Sequence, residues 1–243
     1  RGRAAPGAVP AGSWAVLPAA GRGMRFGGDV PKQYLEAAGK PLIAYALDAL
    51  LSHPRVDGAM VALSAGDERW PGWTSRHGKP LLRSTGGGER ADSVLAALQA
   101  LPPGVGDDAL ILVHDAARPN LCAADLDRLI DTALAHTDGA ILGAPVRDTL
   151  KRADAAAHIV ATEPRSALWR AFTPQAFRRG VLTAALERAR ADGVVVTDEA
   201  MAMERVGAHP ALVEGREDNL KVTTPADLAL AAYLLSRNAA GHS

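Results

Sequence analysis

Four short apolar runs, separated by stretches of helical periodicity, leave this chain few ways to fold. The runs are Ser13 to Leu17, Gly58 to Leu63, Ala109 to Val113 and Ala140 to Val146. Continuous rather than alternating apolarity is what a strand shows when both its faces are covered, as at the centre of a parallel sheet. Between them, Pro41 to Leu51 opens with proline in the first turn and repeats Leu42, Tyr45, Ala46, Ala49 and Leu50 at helical spacing. Glu89 to Leu101 and Ala123 to Ala135 repeat that pattern. Strand and helix in alternation predict an α/β fold with a mostly parallel, doubly wound central sheet flanked by helices. Further helices are predicted at Gln175 to Ala191, Glu199 to Val206 and Pro225 to Arg237, and short strands at Ala211 to Val213 and Leu220 to Val222.

In such sheets ligands bind beyond the carboxyl ends of the strands. Three loops fall there: the one opening at Pro18, the Thr85 to Gly88 glycine run, and the His114-Asp115 turn. The first is the most informative. An apolar strand runs into a small-residue turn carrying Arg22, Arg25 and Lys32, with no acid before Asp29. Backbone N–H groups in such a turn cradle a polyphosphate while the cations answer its charge. The loop is not a Walker A loop, which ends in Gly-Lys followed by Ser or Thr, because Gly27-Gly28 runs into Asp29. Nor is it a dinucleotide fingerprint, because Phe26 stands where the third glycine belongs.

Composition narrows the partners. At 243 residues, 48% hydrophobic and 22% charged, the chain suits one large domain over residues 13–238. Lys+Arg 27 against Asp+Glu 27 advertises no broad cationic surface, so nucleic acid is not an expected partner. A single cysteine, Cys122, cannot build an internal disulfide and fits a reducing, cytoplasmic setting. No apolar run approaches the ~20 residues of a membrane span. Residues 1–12, rich in Ala, Gly and Pro, lack the apolar core of a signal peptide and are expected to be a disordered end. From Arg147 to Pro164 a weak alternation of Thr149, Lys151, His158, Val160 and Thr162, split by Ala153 to Ala157, points to a protruding hairpin arm at about 147–165. An arm without its own core packs on another chain, which predicts a dimer; an ordinary surface loop is the alternative.

The ordered motifs then take on a family likeness. They are Pro18-Ala-Ala-Gly-x-Gly-x-Arg25, Pro31-Lys-Gln-Tyr34, Gly86-Gly-x-Glu-Arg-x-x-Ser-Val94, His114-Asp-Ala-Ala-Arg-Pro119, Val146-x-Asp-Thr-x-Lys151, Thr173-Pro-Gln175, Thr197-Asp-Glu199 and Asp218-Asn-x-Lys-Val-Thr223. From about Trp14 to Leu235 this resembles the 2-C-methyl-D-erythritol 4-phosphate cytidylyltransferase family of the non-mevalonate isoprenoid pathway. The resemblance implies a Rossmann-like nucleotidyltransferase fold, a homodimer joined through arms and a divalent cation such as Mg2+. It also implies transfer of CMP from CTP to methylerythritol phosphate with release of pyrophosphate.

Residue by residue, the resemblance makes Arg25 and Lys32 the groups that stabilise the transition state. It puts Pro18, Ala19, Ala20, Gly21 and Gly23 along the ribose and phosphates. Gly86 and Gly87 resemble the loop that reads cytosine, with Ser93 bonding the base or bracing that loop. Asp115 and Ala116 meet the nucleotide, and Asp115 is the carboxylate to face a magnesium-bound triphosphate. Arg165 and Lys221 position the acceptor, with Thr149, Thr173 and Thr197 as hydroxyl contacts. Thr149 and Arg165 bracket the arm, so a neighbouring subunit can supply them. Arg118 and Asp198 read as structural links between loops. The chemistry suits such a set, since a phosphate monoester is already an oxyanion nucleophile near neutral pH and needs alignment and charge stabilisation more than a general base. His114 has no second His or Cys at ligand spacing and reads as a packed histidine, not a zinc ligand. Two other readings stay open: a cytidylyltransferase for another polyol phosphate, such as ribitol 5-phosphate, and a noncatalytic nucleotide-sensing module.

Overall fold

The structure is a computed structural model and describes residues 12–21 and 28–240. In chain order it forms β1 (Ser13–Ala19), a 3-10 turn (Lys32–Tyr34), β2 (Glu36–Ala37), β3 (Lys40–Pro41), α1 (Leu42–Leu51), β4 (Val56–Leu63), β5 (Ser75–Arg76), β6 (Lys79–Thr85), α2 (Arg90–Ala100) and β7 (Leu110–Val113). The second half supplies α3 (Ala123–Ala135), β8 (Ala140–Pro145), β9 (Leu150–Ala153), β10 (Ile159–Glu163), β11 (Trp169–Arg178), α4 (Arg179–Ala191), α5 (Glu199–Arg205), β12 (Ala211–Glu214) and α6 (Pro225–Ala240). Eight strands make one sheet in the order β12-β8-β11-β7-β1-β4-β6-β5. β1 runs parallel to β4 and β7, and β6 parallel to β4, whereas β11 is antiparallel to both β7 and β8.

Two-sided cover explains the unbroken apolar strands. Successive side chains on a strand point to opposite faces. Ala15 and Leu17 of β1 accordingly join Leu47, Leu50, Leu126 and Leu129 of α1 and α3, while Val16 between them joins Leu95, Leu98, Leu182 and Leu186 of α2 and α4. Each such leucine contributes about 1.5–3 kcal/mol by leaving water, which is why the stretches Ala15–Leu17 of β1 and Leu110–Val113 of β7 are apolar throughout. Among the described residues no helix is long and apolar enough to cross a membrane.

The structure departs from the predicted elements in several places, among them the short unpredicted strands β2, β3 and β5. Gln175 to Arg178 does not open a helix: it is the end of β11, where Gln175 pairs with Val113 on one side and Ile141 on the other. Pairing in the middle of the sheet overrides the local helical pattern, and α4 starts only at Arg179. Leu220 to Val222 is irregular and is tied down by the bond from the Val222 N–H to the Ala117 carbonyl (2.9 Å) and by the Lys221–Asp115 ion pair. β6 has no counterpart among the predicted strands, because its Lys79, Arg83 and alternate positions stay partly or fully exposed and break the apolar run. The arm is present as the antiparallel hairpin of β9 and β10, with Ile159 and Val160 67% and 59% exposed. Residues 1–11 of the expected N-terminal tail, together with Gly23 and Arg25, lie outside the described residues.

Candidate active site

Strand register brings the predicted loops together. Ala19 at the end of β1 lies opposite Leu63, and Leu63 opposite Thr85, while Val16 pairs with Val113. The strands therefore stop along one edge, where their loops surround a cleft of about 350 Å³. Pro18, Ala19, Ala20, Gly21, Lys32, Gly87, Ser93, Asp115, Ala116 and Lys221 all line it, joined by Gln33, Glu89 and Arg90.

Each loop is pinned. Buried Gln33 donates to the Ala19 carbonyl (2.8 Å), the Ser64 hydroxyl donates to the Ala20 carbonyl (2.7 Å), and the Tyr34 hydroxyl donates to Asp67 Oδ2 (2.7 Å). The turn that carries Lys32 is thus fastened to the end of β1 and to the loop after β4. Gly86 sits behind the cleft wall: a Cβ there would stand 2.4 Å from Ala20 Cβ and 2.7 Å from Ser93 Oγ, so only glycine lets the first and second loops touch. Ser93 Oγ accepts the Gly87 N–H (3.1 Å), and Glu89 and Asp92 form a capping box on α2, whose electropositive start borders the cleft.

The third loop holds a buried ionic network. Arg90 donates from Nε (3.3 Å) and Nη2 (3.0 Å) to Asp115 Oδ1, and from Nη1 to Glu199 Oε1 (2.5 Å). Asp115 Oδ2 faces Arg118 Nε and Lys221 Nζ, both at 3.4 Å. Burial alone would raise the Asp115 carboxyl, but Arg90, Lys221 and Arg118 outweigh it and hold it well below the usual carboxylate range. Burial pushes the Glu199 carboxyl up, against the pull of Arg90. Arg118 also donates to the Asn219 carbonyl (2.7 Å), and Asn219 donates to the Thr173 carbonyl (2.8 Å), which fixes the segment that presents Lys221.

Beneath Asp115 runs a chain of neutral hydrogen bonds. His114 Nε2 donates to the Arg118 carbonyl (3.0 Å), which leaves Nδ1 to accept from the Thr173 hydroxyl (2.9 Å), whose oxygen accepts the Asp115 N–H (3.0 Å). His114 is fully buried, and burial lowers its pKa from 6.5 to about 4. The unfolded chain therefore takes up a proton in a window where the fold does not. Stability from His114 is full above about pH 6.5 and falls as pH drops toward 4, by about 3 kcal/mol in all, whereas the Asp115 contribution starts to fall only as pH enters the ordinary carboxylate range of the unfolded chain and is lost progressively below it. Urea unfolding between pH 7 and 4 reads this slope. His114→Gln should flatten it, and an unchanged slope in that variant contradicts the assignment.

A sequence model of the 2-C-methyl-D-erythritol 4-phosphate cytidylyltransferase family (IspD) matches residues 14–237. The chain belongs to this family. It is 61% identical to the cytidylyltransferase of Stenotrophomonas maltophilia (strain R551-3) over 231 residues, covering 95% of this chain and 100% of the relative. It is equally 61% identical to that of Xanthomonas campestris pv. campestris (strain B100), covering 94% and 86%. The crystal structure of the Francisella tularensis family member superposes with a TM-score of 0.80 at 30% identity, covering 92% of this chain and 100% of that one.

Within the cytidylyltransferase frame, the cleft gathers most of the nucleotide-side residues and few of the acceptor-side ones. Thr149, Arg165 and Thr197 are exposed and do not line it, and Arg165 donates from the base of the arm to the Arg147 carbonyl of its own chain. Thr197 Oγ1 is 3.6 Å from the Met201 sulfur. The Thr173 hydroxyl is buried and spent on His114 and Asp115, so it braces the loop and is not presented to the cleft. Arg118 is the link between loops that the motif suggested, and so is Asp198, which caps α5 through the Met201 N–H (2.8 Å) and accepts from Gln175 Nε2 (2.9 Å). Arg90, Glu199 and Gln33 went unread. Their only signal was their place inside the motif segments.

Proposed function

We propose that this chain transfers CMP from CTP to 2-C-methyl-D-erythritol 4-phosphate, giving 4-diphosphocytidyl-2-C-methyl-D-erythritol and pyrophosphate. One observation carries the reading: a family match over residues 14–237 coincides with a cleft where Lys32, Arg90, Asp115 and Lys221, from four separate segments, meet. An acceptor phosphate oxygen attacks the α-phosphorus in line, the bond to the bridging oxygen breaks, and the electron pair leaves on pyrophosphate. The attacking monoester has its second pKa near 6, so it arrives as an anion and no proton need be removed. Lys32, with Arg25 from the undescribed part of the loop, answers charge at the α-phosphorus and leaving group. Lys221 and Arg165 hold the acceptor phosphate. Gly86, Gly87 and Ser93 serve cytosine, which needs an acceptor for its amine and a donor for its carbonyl.

The donor set fits a divalent cation that arrives on the nucleotide rather than a resident one. Asp115 and Glu89 are the cleft's carboxylates, Glu89 is committed to the helix cap, and no group of three His, Cys, Asp or Glu side chains gathers among the described residues. Mg2+ commonly takes one or two carboxylates plus substrate phosphates, and when bound it neutralises triphosphate charge; Asp115 is the residue that would hold it or its waters. A homodimer sharing the acceptor site belongs to the same reading. It is supported by the exposed Ile159 and Val160 on a hairpin too small to stand alone, and by Thr149 and Arg165 lying at the arm's ends away from their own cleft. Sedimentation should show a two-chain species, and a single chain at micromolar concentration contradicts it. A cytoplasmic setting is supported by the lone Cys122, a free thiol in the described fold.

Pyrophosphate release tests the function. The purified protein is given each of the four nucleoside triphosphates, with methylerythritol phosphate or ribitol 5-phosphate, with Mg2+ or a chelator. Release is expected only with CTP, methylerythritol phosphate and Mg2+. Release with ribitol 5-phosphate alone selects the other polyol reading, and CTP binding without release under any pairing selects the sensing module. Chelation should leave the melting temperature of the nucleotide-free protein unchanged to within about 2 °C, since no structural ion is expected.

A further inference from the structure

The charged pair Arg90–Glu199 has no assigned part in the reaction, yet it ties a cleft-lining guanidinium to a carboxylate buried beneath the cleft. Glu199 is 1% exposed, and its Oε2 is buried with no hydrogen-bond partner among the described residues. A buried carboxylate with one oxygen unsatisfied is a poor choice for stability alone, because an apolar side chain of similar volume would serve as well or better. Its satisfied oxygen meets Arg90 Nη1, whose other two contacting nitrogens converge on a single oxygen of Asp115. The two oxygens of Asp115 are thereby made unequal. Oδ1 is gripped by the Nε–Nη2 edge of a guanidinium whose Nη1 is itself fixed on Glu199, while Oδ2 is turned to Arg118 and to the half-exposed Lys221. A guanidinium is planar and its donors form a rigid fork, so fixing one arm on Glu199 fixes the plane in which the others meet Asp115. The same pair joins the first residue of α2, at the nucleotide loop, to the first residue of α5.

We propose that Arg90 and Glu199 are positioning residues of the transfer: Glu199, acting through Arg90, sets the orientation of Asp115, the carboxylate read as meeting the nucleotide and its metal. The inference rests on the reading of this cleft as the CTP site. Its test uses the full chain, with Mg–CTP affinity measured by calorimetry and the two KM values measured by pyrophosphate release. Glu199→Gln keeps the shape and an oxygen for Arg90 but removes the charge, and Arg90→Lys keeps the charge but cannot reach both carboxylates. Each should weaken Mg–CTP binding and lower kcat/KM for CTP about tenfold, with KM for methylerythritol phosphate within about twofold of the parent. In an Asp115→Asn background, Glu199→Gln should add less than about twofold, because its effect passes through Asp115.

Unchanged Mg–CTP affinity in both folded single variants overturns the inference. So does a full tenfold effect of Glu199→Gln when Asp115 is already asparagine, or losses spread equally over both substrates in step with a falling melting temperature. A parent protein that binds no CTP at all fails at the reading of the cleft itself, and the inference falls with it.

Discussion

Lys32→Ala lowers kcat by about a hundredfold to a thousandfold while the fold survives, the loss expected when one preorganised donor is taken from a transition state that gathers charge. Lys32 starts the 3-10 turn, is partly exposed and lines the cleft. What it contributes to folding is therefore the small amount typical of a partly exposed cation, well under the effect on turnover. The turn stays in place without it, since Gln33 and Tyr34 hold the backbone through Ala19 and Asp67. Pyrophosphate release and a thermal melt on the same preparation separate the two. Turnover within about threefold of the parent in a folded variant contradicts the role given to Lys32.

Gly86→Val should be damaging in a different way. The first atom of any side chain at this position already collides with Ala20 Cβ, which is attached directly to the backbone and has no rotamer to escape into. Either the Ala20 loop or the start of α2 must move, and both are walls of the cleft. Overpacking of this kind costs about 3 kcal/mol. A displacement of about 1 Å at the nucleotide loop lowers kcat/KM for CTP by about a hundredfold. Calorimetry with CTP and urea unfolding read the two losses. Gly104, where an added Cβ meets nothing within 4 Å and which does not line the cleft, is the control: Gly104→Ala should keep both values near the parent, and equal damage at both positions contradicts the steric account.

How far the sequence could be read depended on whether the signal was local. α3 matches its predicted bounds at Ala123 and Ala135, because Leu126, Leu129, Ile130 and Ala133 recur at helical spacing and all face one core. β11 was hidden, because its partners β7 and β8 are distant in sequence and its own residues run without a break into α4. The phosphate loop was legible from small residues and cations alone, and so was its position after the first strand. The ionic network behind it was not. Arg90 and Glu199 are 109 residues apart, and nothing near either one announces the other. The same holds for Thr173, whose hydroxyl looked available for substrate until its burial against His114 and Asp115 showed it already in use.

Cations and backbone donors surround the cleft, and its one hydroxyl among the described lining residues, Ser93 Oγ, accepts the Gly87 N–H at 3.1 Å in the loop–helix junction. On the proposed reading, the acceptor phosphate attacks CTP directly and no covalent bond to the protein forms. The most direct test is the stereochemistry of transfer from CTP carrying a single-configuration sulfur at the α-phosphorus. Inversion at phosphorus is the predicted result; net retention, which requires two successive displacements through a protein-bound intermediate, would contradict it.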